Sequence, residues 1–279
     1  MRTFLHHWFG IPTKPGKGPF LKAPIEIAVD QSPKLSFCIT HKDRFEYLQK
    51  TLFQNLKDNE EDQLEIEFIL MDFHESDEVM HWIKETFPKE IGQGYLKYFR
   101  AKMQGWSAPL AKNTAHYVAS GTILTNLDCD NFTGREGGRF VLEQYYKEES
   151  NLMLWQFSRV RRDGSYGRMS FYQQAFEDLG GYDEGLMEMG FQDNDLMLRA
   201  LKMGVKRIER NDKLYNKAIK HEKYKPAHMS FRSMERWNKA RSKTNIKQQK
   251  LNANNGSFGL REEILFLNKE GEMEPFEKS

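Results

Sequence analysis

Short apolar runs and helically spaced apolar residues alternate along the first half of the chain. Runs rich in strand-forming residues predict strands at 34–40, 64–72, 95–101 and 122–128. Apolar residues spaced three or four apart predict helices between them, at 44–56, 77–87 and 108–120. Strands and helices that alternate in this way are typical of an α/β fold, in which helices cover both faces of a mainly parallel sheet.

The pattern is less regular after residue 130. It predicts helices at 139–149, 170–184 and 191–204, and strands at 151–160 and 205–210. Before residue 35, Pro and Gly occur without a period, which indicates an irregular arm. The sequence therefore divides into an arm at 1–34, an α/β domain at 35–221, and a basic helical extension with an acidic end at 222–279.

Polar residues stand where the predicted strands end. Thr40 and His41 follow the first strand, Asp72 ends the second, and Asp128 and Asp130 end the fourth in the stretch TNLDCDNF. Because the carboxyl ends of parallel strands lie at one edge of a sheet, ligands bind at that edge. Two carboxylates separated by one residue can hold a divalent cation, although Asp and Asn also favour turns. The sequence therefore predicts a polar site here, with a metal or a simple turn as the two explanations of the paired acids.

Charge is balanced over the whole chain but not along it. Of the 279 residues 39% are hydrophobic, and the net charge of +2 indicates no particular partner. Residues 201–250, however, carry 16 Lys and Arg against 4 Asp and Glu. Such a segment suits an anionic membrane surface or a solvated helix. A nucleic-acid-binding protein that works through this segment is a further alternative function. No recognisable nucleic-acid-binding module accompanies the segment, however, so a nucleic-acid partner is not expected.

The cysteines and the lack of long apolar runs predict a cytoplasmic protein. Cys38 and Cys129 stand in strand-like contexts, which is typical of reduced thiols in a reducing compartment. No apolar run approaches the length of a membrane span, and the N-terminal residues lack the apolar stretch of a signal peptide. If the basic segment binds lipid, the protein would lie at the inner face of the membrane.

Five stretches, in this order, resemble the nucleotide-sugar glycosyltransferases of the GT-A fold, a Rossmann-like architecture. They are most similar to the galactosyltransferase-type branch, which includes the catalytic domains of β-1,4-galactosyltransferases and chondroitin synthases. The resemblance covers roughly residues 35–225 and rests on the stretches LSFCITHKDRFEYLQKTLFQNL, FILMDFHESDE, AKNTAHYVASGTILTNLDCDNF, GGYDEGLMEMGFQDNDLMLRALKMG and IKHEKYKP. It implies an enzyme that moves a hexose or N-acetylhexosamine from a UDP-sugar to a saccharide or lipid-linked acceptor, with inversion.

The resemblance also implies a metal cofactor, Mn²⁺ or Mg²⁺, which would stabilise the charge that builds on the leaving diphosphate. Asp128 and Asp130 would hold the metal, with Asp130 as the expected direct ligand. His221 matches the histidine that completes the site in the galactosyltransferase-type branch, and His228 is a nearby alternative.

The donor nucleotide would bind at the strand ends of the same domain. The resemblance assigns uracil and ribose contacts to Thr40, His41, Arg44 and Asp72. It assigns contacts with the nucleotide or the donor phosphates to Lys112, Asn113 and Asp128.

Transfer would need a base that takes the proton of the acceptor hydroxyl. The resemblance assigns this role to Asp193 in GFQDNDL, where Gln192 replaces the Glu that the family more often carries. Acidic residues at a helix N-terminus can also be caps, and Asp195 is expected to brace the helix, with Glu188 as another candidate base. Gln192 leaves a second function open, namely a protein that binds a nucleotide sugar without transferring it.

Aromatic residues near the ends of these stretches are candidates for stacking on a sugar. Trp106 lies in the loop stretch QGWSAPL, which suits such a contact. Trp155, Tyr166 and Tyr182 are expected to pack in the core.

Overall fold

The computed structural model describes residues 34–148, 151–157, 164–220 and 228–278. The arm predicted at 1–34 falls outside this range except for its last residue. Within the described residues, no helix combines the length and apolarity that a transmembrane segment needs.

Four parallel strands form the centre of the main sheet, in the spatial order β3-β2-β1-β4. Their bounds are β1 Leu35–His41, β2 Ile66–Asp72, β3 Leu96–Arg100 and β4 Ile123–Asp128. The register pairs His41 with Asp72 and Thr40 with Asp128. The polar strand ends that the sequence pointed out are therefore neighbours at one edge.

Further strands extend the sheet on both sides to nine. Beyond β4 lie β7 (Met169–Tyr172), β6 (Leu152–Trp155) and β8 (Lys206–Glu209), and beyond β3 lie β10 (Leu265–Leu267) and β11 (Met273–Pro275). β7 runs antiparallel to β4, and β10 runs antiparallel to β3. A separate pair joins β5 (Asn131–Phe132) to β9 (Lys217–Ala218). The sheet is thus mixed and mainly parallel.

Helices cover both faces of this sheet, because strand side chains alternate between two apolar clusters. Phe37 belongs to one cluster and Cys38 to the other. The first cluster takes apolar residues from α1 (Phe45–Asp58), α2 (Glu78–Thr86), α3 (Pro88–Gly92) and α5 (Gly137–Tyr146). The second takes them mainly from α4 (Ala108–Tyr117), α6 (Gln173–Asp178) and α7 (Gln192–Lys202). The predicted α/β class is confirmed.

The helix predicted at 170–184 is wrong at its beginning. Residues 169–172 form β7, and the helix there spans only Gln173–Asp178. Strand β7 fills the position between β4 and β6, where it pairs with both, and Thr125 Oγ1 donates to Ser170 Oγ at 2.7 Å. Pairing with distant strands has made residues 169–172 a strand, although the local sequence pattern favoured a helix.

The C-terminal extension has both a helix and strands. The predicted basic helix is α8, Phe231–Lys247. The acidic end adds β10 and β11 to the main sheet, which the sequence did not indicate. Three-residue strands are too short to show the alternation by which a strand is recognised.

Candidate functional site

Asp128 and Asp130 lie at the carboxyl end of β4 but contact different partners. The side chain of Asp128 is 34% exposed, and its Oδ1 atom lies 3.2 Å from Asn126 Nδ2, a donor, and 3.7 Å from Lys112 Nζ. Asp130 is buried, with Arg44 Nη1 3.0 Å from its Oδ2 and Asn131 Nδ2 2.6 Å from its Oδ1. Asp128 is therefore the more accessible of the two carboxylates.

Lys112 connects Asp128 to the helix that carries Asp193. It lies on α4, which begins at a capping Ser107 whose hydroxyl accepts the Leu110 N–H. The Lys112 side chain is 7% exposed, and its Nζ donates to Asp193 Oδ1 at 2.8 Å. Burial alone would lower the pKa of Lys112, but the carboxylates of Asp193 and Asp128 outweigh it and raise that pKa above its ordinary value. Lys112 is therefore a buried ammonium between two acids.

Asp193 lies in the first turn of α7, and its side chain is 15% exposed. The helix begins after Phe191, whose φ of 66° is in the left-handed region.

Gly167, at the end of the turn before β7, leaves room for the Lys112–Asp193 pair. A Cβ atom at position 167 would lie 2.9 Å from Lys112 Nζ and 3.2 Å from both carboxylate oxygens of Asp193. The absence of a side chain at Gly167 is thus part of the site, and no signal in the sequence indicated it.

Asp195 serves the fold. Its Oδ2 atom accepts from Arg199 Nε at 2.8 Å, and both side chains are buried. Arg199 also donates to the carbonyls of Leu179 and Gly181, each at 2.7 Å. The expected bracing of α7 by Asp195 therefore runs through Arg199, and a fully buried carboxylate cannot reach an acceptor sugar in this arrangement.

Asp72 and His41 form a buried network behind the β1–α1 turn. His41 Nδ1 lies 2.8 Å from Asp72 Oδ1, and the hydroxyl of Tyr98 donates to Asp72 Oδ2 at 2.8 Å. His41 Nε2 accepts the Arg44 N–H at 3.3 Å, which assigns the ring proton to Nδ1. Both Asp72 and His41 are fully buried. The network holds the turn that carries Arg44, whereas the predicted direct contacts of Asp72 and His41 with a nucleotide stay predictions.

Asn113 is also fully buried, and both its polar atoms are bonded within the chain. Its Oδ1 accepts the Tyr182 N–H at 2.8 Å, and its Nδ2 lies 2.8 Å from the Tyr182 carbonyl and 2.7 Å from Glu184 Oε1. Asn113 directly follows Lys112 on α4, and its bonds connect this part of the helix to the segment that follows α6. These bonds support the position of the neighbouring Lys112, and the predicted contact of Asn113 with the donor stays a prediction.

The metal site predicted from Asp128, Asp130 and His221 is only partly described. His221 falls outside the described residues, and among those described no group of three His, Cys, Asp or Glu side chains could hold a metal ion. The alternative, His228, lies 3.2 Å from Glu188 Oε1. Of the three predicted ligands, the structure therefore describes Asp128 and Asp130, and their role as metal ligands stays a prediction.

The segment 183–190, which precedes α7, is held by helix α8. Asn238 is buried, accepts the Met187 N–H at 2.7 Å and donates to the Gly190 carbonyl at 2.6 Å. Trp106 is half-buried and contacts the same segment, with its Nε1 3.3 Å from Met189 Sδ. Asn238 was not singled out in the sequence, since an Asn within a basic helix carries no recognisable signal.

Among the other aromatic candidates, Trp155 and Tyr182 are buried core residues, as expected. Lys112 Nζ lies 5.3 Å from the centre of the Tyr182 ring, on which it stacks as a cation. Tyr166 is partly buried and its hydroxyl accepts from Asn194. Trp106 and Tyr166 are therefore the two candidates that keep some exposure.

Comparison with known proteins identifies the fold. No family model and no curated protein matches the chain. Two solved structures that are similar to it are residues 1–349 of S. aureus TarS and mannosyltransferase PcManGT from Pyrobaculum calidifontis, solved with GDP-Man and Mn²⁺. TarS matches at 14% identity and a TM-score of 0.54, over 66% of this chain and 60% of its own. PcManGT matches at 14% identity and a TM-score of 0.55, over 85% of this chain and 68% of its own.

A further TarS structure, in complex with UDP-GlcNAc, matches with a TM-score of 0.54 at 14% identity, over 68% of this chain and 60% of its own. The chain therefore has the GT-A fold, and the resemblance seen in the sequence is confirmed at that level. Sequence identities this low show the architecture alone. They do not distinguish the galactosyltransferase-type branch, which stays a prediction.

Proposed function

We propose that this protein is a glycosyltransferase that moves a sugar from a nucleotide-sugar donor to a hydroxyl of an acceptor. One observation carries the proposal. At the carboxyl edge of a GT-A sheet, Lys112 links Asp128, from β4, to Asp193, from α7, in one continuous cluster with Lys112 Nζ 3.7 Å and 2.8 Å from their Oδ1 atoms. The cluster brings together a cation for a diphosphate and two carboxylates with separate tasks.

The diphosphate of the donor would be the ligand of Lys112. A phosphate oxygen is a strong partner for a buried ammonium, since charge-assisted hydrogen bonds are about twice as strong as neutral ones. Arg44, which lies 3.0 Å from Asp130 Oδ2, is a second cation at the same edge. Asn113 and the His41–Asp72 pair would keep Lys112 and Arg44 in position.

A divalent cation fits Asp128 better than it fits Asp130. Mg²⁺ is usually held by one or two carboxylates together with substrate phosphates, so a cage of three protein side chains is not required. Asp128 is partly exposed, whereas Asp130 is buried and paired with Arg44. The metal, Mn²⁺ or Mg²⁺, would neutralise charge on the departing diphosphate. His221, where the sequence resemblance locates a third ligand, remains part of this proposal.

Asp193 would be the base that takes the acceptor proton. In the described arrangement its Oδ1 accepts from Lys112. A diphosphate that draws Lys112 away would free this oxygen for a hydrogen bond from the acceptor hydroxyl. Donor binding would thus prepare the base for the reaction.

The donor base and sugar are open within this fold. TarS was solved with UDP-GlcNAc and PcManGT with GDP-Man, so proteins of this architecture accept different nucleotides. We propose a UDP-sugar carrying a hexose or N-acetylhexosamine, and inversion at the anomeric carbon, because the motifs around Asp128 and Asp193 resemble the galactosyltransferase-type branch. Saccharides and lipid-linked glycans are the proposed acceptors, and the proposed location is the cytoplasm, at the inner face of the membrane.

A protein that binds a nucleotide sugar without transferring it is the second candidate. Gln192 favours it, since this buried side chain lacks the charge of a Glu and its Oε1 atom has no hydrogen-bond partner in the described structure. Both candidates require donor binding, and only the first requires Asp193 to take a proton.

Calorimetric titration with UDP, GDP and ADP, each with Mn²⁺ and with EDTA, tests the donor site. We expect UDP to bind most tightly, and at least tenfold more tightly with Mn²⁺ than with EDTA. Asp128→Asn should remove most of the metal effect, whereas Asp212→Asn, a change in an exposed loop, should retain it. Equal UDP affinity with and without the metal would contradict the role of Asp128, and a preference for GDP would change the donor class.

A further inference from the structure

The outer face of helix α8 carries a row of cations. Arg232, Arg236, Lys239, Lys243 and Lys247 follow one another at spacings of four, three, four and four residues. At 3.6 residues per turn these five positions fall within an arc of about 80° and span about 22 Å along the helix. We name these five residues the basic row.

The basic row points away from the protein. The buried positions of α8 are Met234, Asn238 and Ser242, whose mean direction lies about 140° from that of the row. Lys239 is half-buried, and the other four members are exposed. Within the described residues, none of those four makes an ion pair, and Glu235 is the one acidic residue of the helix.

We propose that the basic row docks the protein on an anionic membrane surface. Anionic headgroups attract each nearby Lys or Arg, and several in one plane act together. The row lies along one outward face of the helix. A flat, negatively charged surface can contact all its members at once, whereas a single polyanionic strand is usually held in a groove lined with stacking aromatics. The purpose of this docking rests on the proposed glycosyl transfer, since a lipid-linked acceptor would be found on such a surface.

The inner face of the same helix is hydrogen-bonded to the segment 183–190. Asn238 bonds to the backbone at Met187 and Gly190, and Asn245 Nδ2 lies 3.1 Å from Asp183 Oδ2. The segment 183–190 leads into α7 and Asp193. One helix diameter, about 10–12 Å, therefore separates a docked surface from the segment that introduces the proposed base. Docking through α8 would orient the active site relative to the membrane.

The test is sedimentation of the full chain with lipid vesicles that contain either phosphatidylcholine alone or about 30 mol% phosphatidylglycerol. We expect binding to the anionic vesicles only, and a steep loss of binding in high salt because the contacts are exposed charges. In the variant Arg236→Gln/Lys243→Gln/Lys247→Gln, the partition coefficient should fall about 100-fold, since each cation near the surface contributes severalfold. Gln is a good helix former, so α8 should persist, which circular dichroism checks.

A matched control removes three exposed cations elsewhere, in the variant Lys50→Gln/Lys57→Gln/Lys269→Gln. Its net charge equals that of the first variant, and its vesicle binding should stay within about threefold of the unchanged protein. An equal loss in both variants, or unchanged binding in the first, would overturn the proposal. Binding to inorganic polyphosphate but not to vesicles would assign the basic row to a soluble polyanion instead.

UDP titration separates this proposal from the proposed function. The variant of the basic row should bind UDP as the unchanged protein does, because the described partners of Lys112 do not include Arg236, Lys243 or Lys247. If the unchanged protein binds vesicles but no nucleotide, the proposed docking stands and the proposed glycosyltransferase function is contradicted.

Discussion

Two lysine–carboxylate clusters lie at opposite edges of the main sheet, and they differ in how completely their oxygens are used. At the amino edge, buried Glu67 accepts from Ser36 Oγ and from the Ser120 N–H on Oε1, and from Ser120 Oγ and Lys97 Nζ on Oε2. At the carboxyl edge, Lys112 contacts Oδ1 of Asp128 and of Asp193. Within the described residues, the Oδ2 atoms of these two aspartates make no hydrogen bond.

The difference separates a structural cluster from a candidate site. A buried carboxylate whose two oxygens both accept hydrogen bonds within the protein has no oxygen available for a ligand. Its bonds stabilise the packing of the strands instead. Partly exposed carboxylates with a spare oxygen can bind a metal, a phosphate-bound cation or a hydroxyl proton. By the same criterion Asp72 belongs with Glu67, although it lies at the carboxyl edge, because both its oxygens are bonded.

The largest expected effect is that of Asp193→Asn on the transfer rate. Asn preserves the shape of the side chain and its oxygen can still accept from Lys112, but it cannot take a proton. Transfer should therefore fall about 10²–10⁴-fold while UDP affinity stays nearly the same. The measurement is the initial rate with saturating donor and acceptor, beside a UDP titration.

Asp195→Asn is the control for that change, since Arg199 would lose a buried charged partner and the free energy of unfolding should fall by about 3 kcal/mol. Full activity of the Asp193→Asn protein would move the base to another residue, with Glu188 the next to examine.

Lys112→Gln should weaken UDP binding about tenfold to a hundredfold, because a buried charge-assisted contact with the diphosphate is lost. Lys97→Gln is the matched change at the amino edge and should leave UDP affinity as it is. Titration of both variants measures the contrast. Equal affinities would mean that the two clusters do not differ in function.

Glu67→Gln should cost stability without affecting the donor. The change weakens several hydrogen bonds to a buried carboxylate. Because Lys97 is partly exposed and stays hydrated, we expect the free energy of unfolding to fall by only about 2 kcal/mol. Urea unfolding measures the loss, and UDP affinity should not change. Lost UDP binding in a folded Glu67→Gln protein would show that the amino-edge cluster is coupled to the site.

The smallest expected effect is that of Gly167→Ala. The added Cβ meets the ends of Lys112 and Asp193, which can shift, so stability should hardly change while transfer falls about threefold to tenfold through displaced groups. Gly92→Ala is the control, because a Cβ there meets open space. A fall in thermal stability with unchanged transfer would make Gly167 a packing residue only.

The sequence predicted the central sheet well because its strands are long, apolar and separated by amphipathic helices. It also predicted that the polar strand ends would converge at the carboxyl ends of the strands. The particular pairs, His41 with Asp72 and Thr40 with Asp128, depend on the strand order and register, which the sequence did not predict. It could not predict the contact between Lys112 and Asp193, which are 81 residues apart and lie on different helices.

The burial and the hydrogen-bond partners of individual side chains could not be predicted from the sequence either. The burial of Asp72 depends on Tyr98, which reaches it from the next strand. The space left by Gly167 and the support that Asn238 gives the 183–190 segment depend on how distant elements pack. Periodicity reports which face of an element is apolar, and it carries no information about such tertiary partners.

The two short C-terminal strands have a consequence for association between molecules. Without β10, strand β3 would present unpaired backbone groups at Phe99 and Arg100, and such an open edge strand is a template for aggregation. The strand that ends the sheet instead, β11, has three residues and includes Glu274 and Pro275, a charge and a residue that cannot donate a backbone hydrogen bond. A chain shortened before residue 265 would therefore be expected to self-associate through its exposed sheet, even with the candidate site unchanged.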